Sequence, residues 1–153
     1  MKTTVRKAKL GDAKTIHNLI NTASLKGAVL ARSLSEIYDS IRDFLVAEDN
    51  GKVIGCCSLH ITWEDLAEVR SLVILPAQQK KGVGAKLLQA TLKEAKRLAL
   101  PKVFALTSQP EFFQKYGFER ISRKSLPHKI WGDCLKCPKF PKCDEVALWK
   151  KLS

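Results

Sequence analysis

The sequence predicts an α/β fold of the α+β kind, a mixed and mostly antiparallel sheet flanked by helices on both faces. Three observations predict it. Strand-like and helix-spaced apolar patterns follow one another as strand, two helices, three strands, helix, strand, helix and terminal strands. Two apolar runs, 44–47 and 53–61, flank Asp49-Asn50-Gly51-Lys52, the residue chemistry of a tight hairpin turn. A long apolar run, 66–75, then feeds a glycine-containing turn and a helical pattern over 86–98.

Thr3 to Ala8 reads as the first strand, and Gly11-Asp12 supplies a turn and an N-cap for a helix carrying Ile16, Leu19, Ile20 and Ala23. The pattern breaks from Lys26 to Arg32. Ser33-Leu34-Ser35-Glu36 is a capping box opening a second helix through about Ile41. After the hairpin, Trp63-Glu64-Asp65 connects to the long strand. Pro101 follows the helix, and Lys102 to Thr107 is a further strand. Ser108-Gln109-Pro110-Glu111 reads as a second capping box, with a short helix to Tyr116, Gly117 as its stop and Phe118 to Ser122 as a strand. Residues 123–143 are irregular, and Asp144 to Leu152 returns to strand-like alternation.

The 153 residues are expected to form one domain, 1–153, with a substantial core, since 45% are hydrophobic. Met1 to Lys9 is polar, and no apolar run is long enough to span a bilayer, so the expected location is the cytoplasm, away from membranes. Lys and Arg outnumber Asp and Glu by 27 to 15, a net charge of +12 that favours acidic or phosphorylated partners. The basic residues are scattered and no aromatic RNA-binding signature accompanies them, which argues against nucleic acid. Cys56 and Cys57 lie in an apolar strand and read as buried small hydrophobes.

The organising stretch is Gln79, Lys80, Lys81, Gly82, Val83, Gly84 and Ala85, between a strand and a helix. Glycines there let backbone N–H groups approach an anion, and the helix N-terminus adds partial positive charge, so a phosphate or pyrophosphate fits. The spacing matches neither a P-loop nor a dinucleotide fingerprint. It resembles the Gln/Arg-x-x-Gly-x-Gly/Ala loop of GNAT-type N-acetyltransferases. Pro110 to Phe118, a short helix with an aromatic pair ending in Gly-Phe, is similar to the second signature of that family and follows in the right order. The segments 44–48 with 55–57, 66–72, 106–113 and 126–145 further resemble the short bacterial N-acetylglutamate synthases.

The resemblance implies the GNAT acyltransferase fold and acetyl transfer from acetyl-CoA to the α-amine of L-glutamate, an early step toward arginine. It implies that Leu72, Val73 and Ile74 offer backbone groups to the pantetheine arm and thioester, one amide forming the oxyanion site. Gln79 to Ala85 would take the pyrophosphate, with side-chain identity mattering least at Lys80 and Val83. A base is needed because α-amino groups titrate near 8. Glu68 is the candidate, on one face with Arg70 and Leu72 by simple alternation, and an ordinary ion pair with Arg70 is the competing reading. Phe113 stands where many relatives carry a tyrosine acid, and Tyr116 is expected to point elsewhere and pack, so no general acid is assigned. A thiol with a pKa near 8.5 leaves without much help.

Two carboxylates on glutamate call for bidentate arginine. Arg32 and Arg70 are the candidates, with Lys26 and His128 behind them and Ser71 and Thr107 as further donors. Cys134-x-x-Cys137 with Cys143, and His128 or Asp144 nearby, leaves three readings open: a structural zinc, free thiols, or a Cys134–Cys137 disulfide. GNAT relatives often dimerise, so a homodimer is expected. The alternatives are a GNAT enzyme for another amine and, from another class, a basic metal-dependent nucleic-acid-binding module.

Overall fold

A computed structural model describes residues 3–27, 29–127 and 146–152. Among these residues seven strands form one sheet: β1 (Thr3–Lys7), β2 (Phe44–Asp49), β3 (Lys52–Trp63), β4 (Leu66–Ile74), β5 (Lys102–Thr107), β6 (Glu119–Arg120) and β7 (Val146–Lys151). Their spatial order is β1-β2-β3-β4-β5-β7-β6. Among the described residues only β4 and β5 run parallel; every other pair is antiparallel. The helices are α1 (Ala13–Ser24), α2 (Leu34–Asp39), α3 (Val83–Arg97) and α4 (Pro110–Gln114). The expected mixed, mostly antiparallel sheet is therefore the one observed.

The helices divide between two faces because the strands are apolar on both. Leu45, Ala47, Ile54 and Val69 meet Leu87, Leu88 and Leu92 of α3 in the larger core. Phe44, Val46, Cys56 and Val73 meet Ile16, Leu19 and Ile20 of α1 and Ile37 of α2 in the second. Each fully buried leucine or isoleucine contributes roughly 1.5–3 kcal/mol of transfer free energy, so the two layers clamp the sheet. Burial also pushes the Cys57 thiol up to about 12, and Cys56 higher still, leaving both as protonated core atoms.

Local signals mostly hold. Asn50 and Gly51 both have positive φ, 51° and 79°, as the hairpin requires. Ser33 and Glu36 make the full reciprocal capping box of α2, and Gly117 closes α4 at φ 90°. Two caps differ from expectation. Asp12 does not cap α1 with its side chain: it ends the 3-10 turn Leu10–Asp12, and its carboxylate points back to take the Lys9 N–H at 2.7 Å and two bonds from Arg6. The Ser108 box is not made either. Pro110 occupies the first helical position, so Gln109 is the N-cap, Ser108 lies outside the helix, and Thr107 Oγ1 takes the Gln109 N–H at 2.9 Å.

Candidate functional site

The site opens where β4 and β5 part. Their pairing consists of Ala67 opposite Val103 and Glu68 opposite Phe104. Beyond it, β4 stays paired with β3 through Ile74, and β5 with β7 through Thr107. The β5-facing backbone of residues 71–74 is left without a strand partner among the described residues, and a groove of about 900 Å³ occupies the divergence. Leu72, Val73 and Ile74 border one side, Leu106, Thr107 and Phe112 the other, and Thr15, Asn18 and Thr22 of α1 close it. Among the described residues, Lys26, Arg32, Lys52, Arg70, Lys80 and Lys115 border the groove against a single carboxylate, Glu68. Such a lining attracts anionic ligands.

At one end lies the glycine turn, where Gln79, Lys80, Gly82, Gly84 and Ala85 all border the groove. Gly82 is the N-cap of α3 at φ 84°, with no side-chain cap and no acid in the first turn. The first-turn N–H groups of α3 have no partner within the helix and carry its positive pole. A Cβ at Gly82 would meet nothing within 4 Å, so the space before them is open. Gln79 Nε2 ties the turn to the end of β4 through the Ile74 carbonyl at 3.1 Å. These donors fit a pyrophosphate. Lys81 is exposed and outside the lining. Val83 is buried in the larger core, so its side chain serves packing, and it too lies outside the lining.

At the other end, a bulge resets β4. Between Cys56 and Ser58 on β3, the paired residues of β4 step from Val73 to Arg70, one residue more, and Ser71 takes up the excess at φ 57°. Side-chain alternation flips there: Ala67 and Val69 face α3 before the bulge, Leu72 and Ile74 after it. Glu68 and Arg70 therefore share the opposite face, their charged groups 3.6 Å apart, while Leu72 does not join them. Arg32, from the loop before α2, borders the same groove, and a smaller lobe of about 190 Å³ is lined by Arg32, Arg70, Ser58, Ser71, Glu36 and Asp39. The Ser33 N–H, with the Ser33 hydroxyl and Arg32, holds the Glu36 carboxyl below its ordinary value against the cost of burial.

Lys26, Ser71 and Thr107 also reach the groove. Phe113 is buried edge-on against Phe118. Tyr116 corrects the expectation that it points away: it borders the groove and packs on Phe112 with ring centroids 5.3 Å apart. The polar stripe Thr15, Asn18 and Thr22 was missed, although its i, i+3, i+7 spacing beside the apolar stripe marks a second, groove-facing side of α1. Among the described residues no three metal-ligating side chains cluster; His128, Cys134, Cys137, Cys143 and Asp144 lie outside them. No described helix is long and apolar enough to cross a membrane.

Known proteins share this architecture. The GNAT acetyltransferase domain matches residues 40–120. An uncharacterized N-acetyltransferase of Chlorobaculum tepidum is 39% identical over 98% of this chain and 97% of its own. An amino-acid acetyltransferase of Mycobacterium tuberculosis is 37% identical over 84% of this chain and 75% of its own. The N-acetylglutamate synthase of Neisseria gonorrhoeae, solved with coenzyme A and N-acetyl-glutamate, superposes with a TM-score of 0.91 at 26% identity, over 100% of this chain but 36% of the larger one. The matched family, the relatives over the chain's full length and the diverging strands with their glycine turn agree: this chain belongs to the GNAT family and is an acetyl-CoA-dependent N-acetyltransferase.

Proposed function

We propose that the chain acetylates the α-amine of L-glutamate, and so acts as an N-acetylglutamate synthase on the way to arginine. Relatives named amino-acid acetyltransferase support an amino acid as acceptor. The observation that carries glutamate is the pair Arg32 and Arg70, which border one pocket at the inner end of the groove and suit two carboxylates. In this reading Gln79 to Ala85 hold the pyrophosphate of acetyl-CoA, and the unpaired backbone at Leu72, Val73 and Ile74 holds the pantetheine arm, one amide donating to the oxygen of the thioester carbonyl as charge develops there. Glu68 takes the proton of the ammonium, directly or through water, and its ion pair with Arg70 holds the carboxylate in place. The thiolate leaves and picks up a proton from solvent. Attack forms the C–N bond and breaks the C–S bond, so each turnover releases one thiol.

Thiol release from acetyl-CoA, measured with L-glutamate beside aspartate and glutamine, tests the reading. Turnover selective for glutamate is expected; turnover indifferent to glutamate sinks it. With Glu68→Gln, kcat falls by roughly 10²–10⁴ if the carboxylate is the base, whereas the acetyl-CoA KM stays near the parent value.

A further inference from the structure

The loop carrying Arg32 is held by one side chain of α1. Asn21 Nδ2 donates to the carbonyls of His17 at 2.8 Å and Arg32 at 2.9 Å, and Asn21 Oδ1 accepts the Arg32 N–H at 3.2 Å. Both donors and the acceptor are used, which fixes the amide orientation, because the reversed amide would set its oxygen against two carbonyls. Arg32 is thus gripped on both sides of its Cα, as a neighbouring strand would grip it. One residue on, Ser33 donates its N–H to Glu36 Oε1 at 3.0 Å, while Glu36 Oε2 lies 3.7 Å from Arg32 Nη1.

The backbone at 32 and 33 is therefore fixed while the guanidinium is not used up. Its contact with Glu36 is long, and its Nε is buried with no hydrogen-bond partner among the described residues. A buried donor left unpaired is costly, and here it belongs to a side chain bordering the groove. We propose that Asn21 is a positioning residue that presets Arg32 as the receptor for a carboxylate of the acceptor amino acid, and so sets specificity for acidic substrates; this rests on the reading of Arg32 given above. Without the clamp, ordering the loop is charged to substrate binding at each turnover. Chain ordering of one residue is worth about five- to thirtyfold in an equilibrium constant.

A double-mutant cycle on the purified full chain tests it. Asn21→Ala keeps the helix, since alanine is a better helix former than asparagine, and Asn21→Asp keeps the shape but opposes two carbonyls with a carboxylate. Each is expected to raise the glutamate KM about tenfold, with kcat and the acetyl-CoA KM within about twofold of the parent. Arg32→Ala is expected to raise the glutamate KM at least as much. In the Arg32→Ala background, adding Asn21→Ala should change nothing further. A full additional loss there, or an unchanged KM in either Asn21 variant while Arg32→Ala is impaired, overturns the positioning role alone. An unchanged KM in Arg32→Ala, or no glutamate turnover by the parent, overturns the Arg32 reading and the inference with it.

Discussion

Gly82 carries two demands that one substitution pair can separate. Its φ of 84° disfavours any Cβ, and the space beyond it is open. Asparagine tolerates that backbone region, and aspartate adds a negative charge of nearly the same size. Gly82→Asp should therefore weaken acetyl-CoA binding by about tenfold or more, and Gly82→Asn distinctly less. Equal affinities, read by titration calorimetry, would remove the anion role of the turn. A second residue-scale expectation concerns acid. Arg6 donates to both Asp12 oxygens, at 2.8 and 3.1 Å, and the Lys9 N–H adds a third bond. The Arg6 bonds come first, then the Lys9 N–H, in holding the Asp12 carboxyl below its ordinary 3.8 despite burial. Its folded value being depressed, the stabilisation is complete above about pH 4 and is lost as pH falls through the folded value. Asp12→Asn should cost roughly 1–3 kcal/mol at pH 7, from bonds to a charged group, and the gap to the parent should close toward pH 2 in urea melts.

At the scale of elements, the groove depends on how closely β3 lies on β4 beneath α3. A Cβ at Gly55 would stand 2.7 Å from Ile74 Cδ1, 3.0 Å from the Val73 carbonyl and 3.1 Å from Leu87 Cδ1. The Ile74 methyl can swing aside; the carbonyl belongs to the strand and cannot. Gly55→Ala should thus cost about 1–3 kcal/mol as an overpacked site and raise the acetyl-CoA KM, because Ile74 borders the groove. Thermal melts beside initial rates check both. Much of this level was legible in the sequence. The Asn50-Gly51 turn, the Ser33–Glu36 box and the glycine start of α3 each announce themselves by residues whose conformational preferences are strong. The bulge at Ser71 was not, because serine carries no mark for φ 57°, and alternation read across it put Leu72 on the wrong face. Ser108 misled for a different reason: the box pattern was present, but the proline inside it fixed the helix start one residue later. Asn21 left no sequence signal, since its clamp closes on a backbone eleven residues away.

For the whole molecule, the divergence of β4 from β5 has a cost that the rest of the fold must carry. Sheets normally keep unpaired strands at their rims, where charges and short lengths guard them. Here one edge of residues 71–74, Leu72, Val73 and Ile74 among them, lies without a strand partner in the middle of the sheet, while the other edge stays paired with β3. Coenzyme A laid along it would cover the gap and raise the melting temperature with its concentration, by RT ln(1 + [L]/Kd) in stability. Light scattering during slow heating should show an earlier onset for the empty protein than for one saturated with coenzyme A; identical onsets would mean the seam is protected in some other way. An enzyme built like this carries an interior edge, and a cosubstrate bound along it as proposed would double as the guard against self-association that a closed sheet would have had for free.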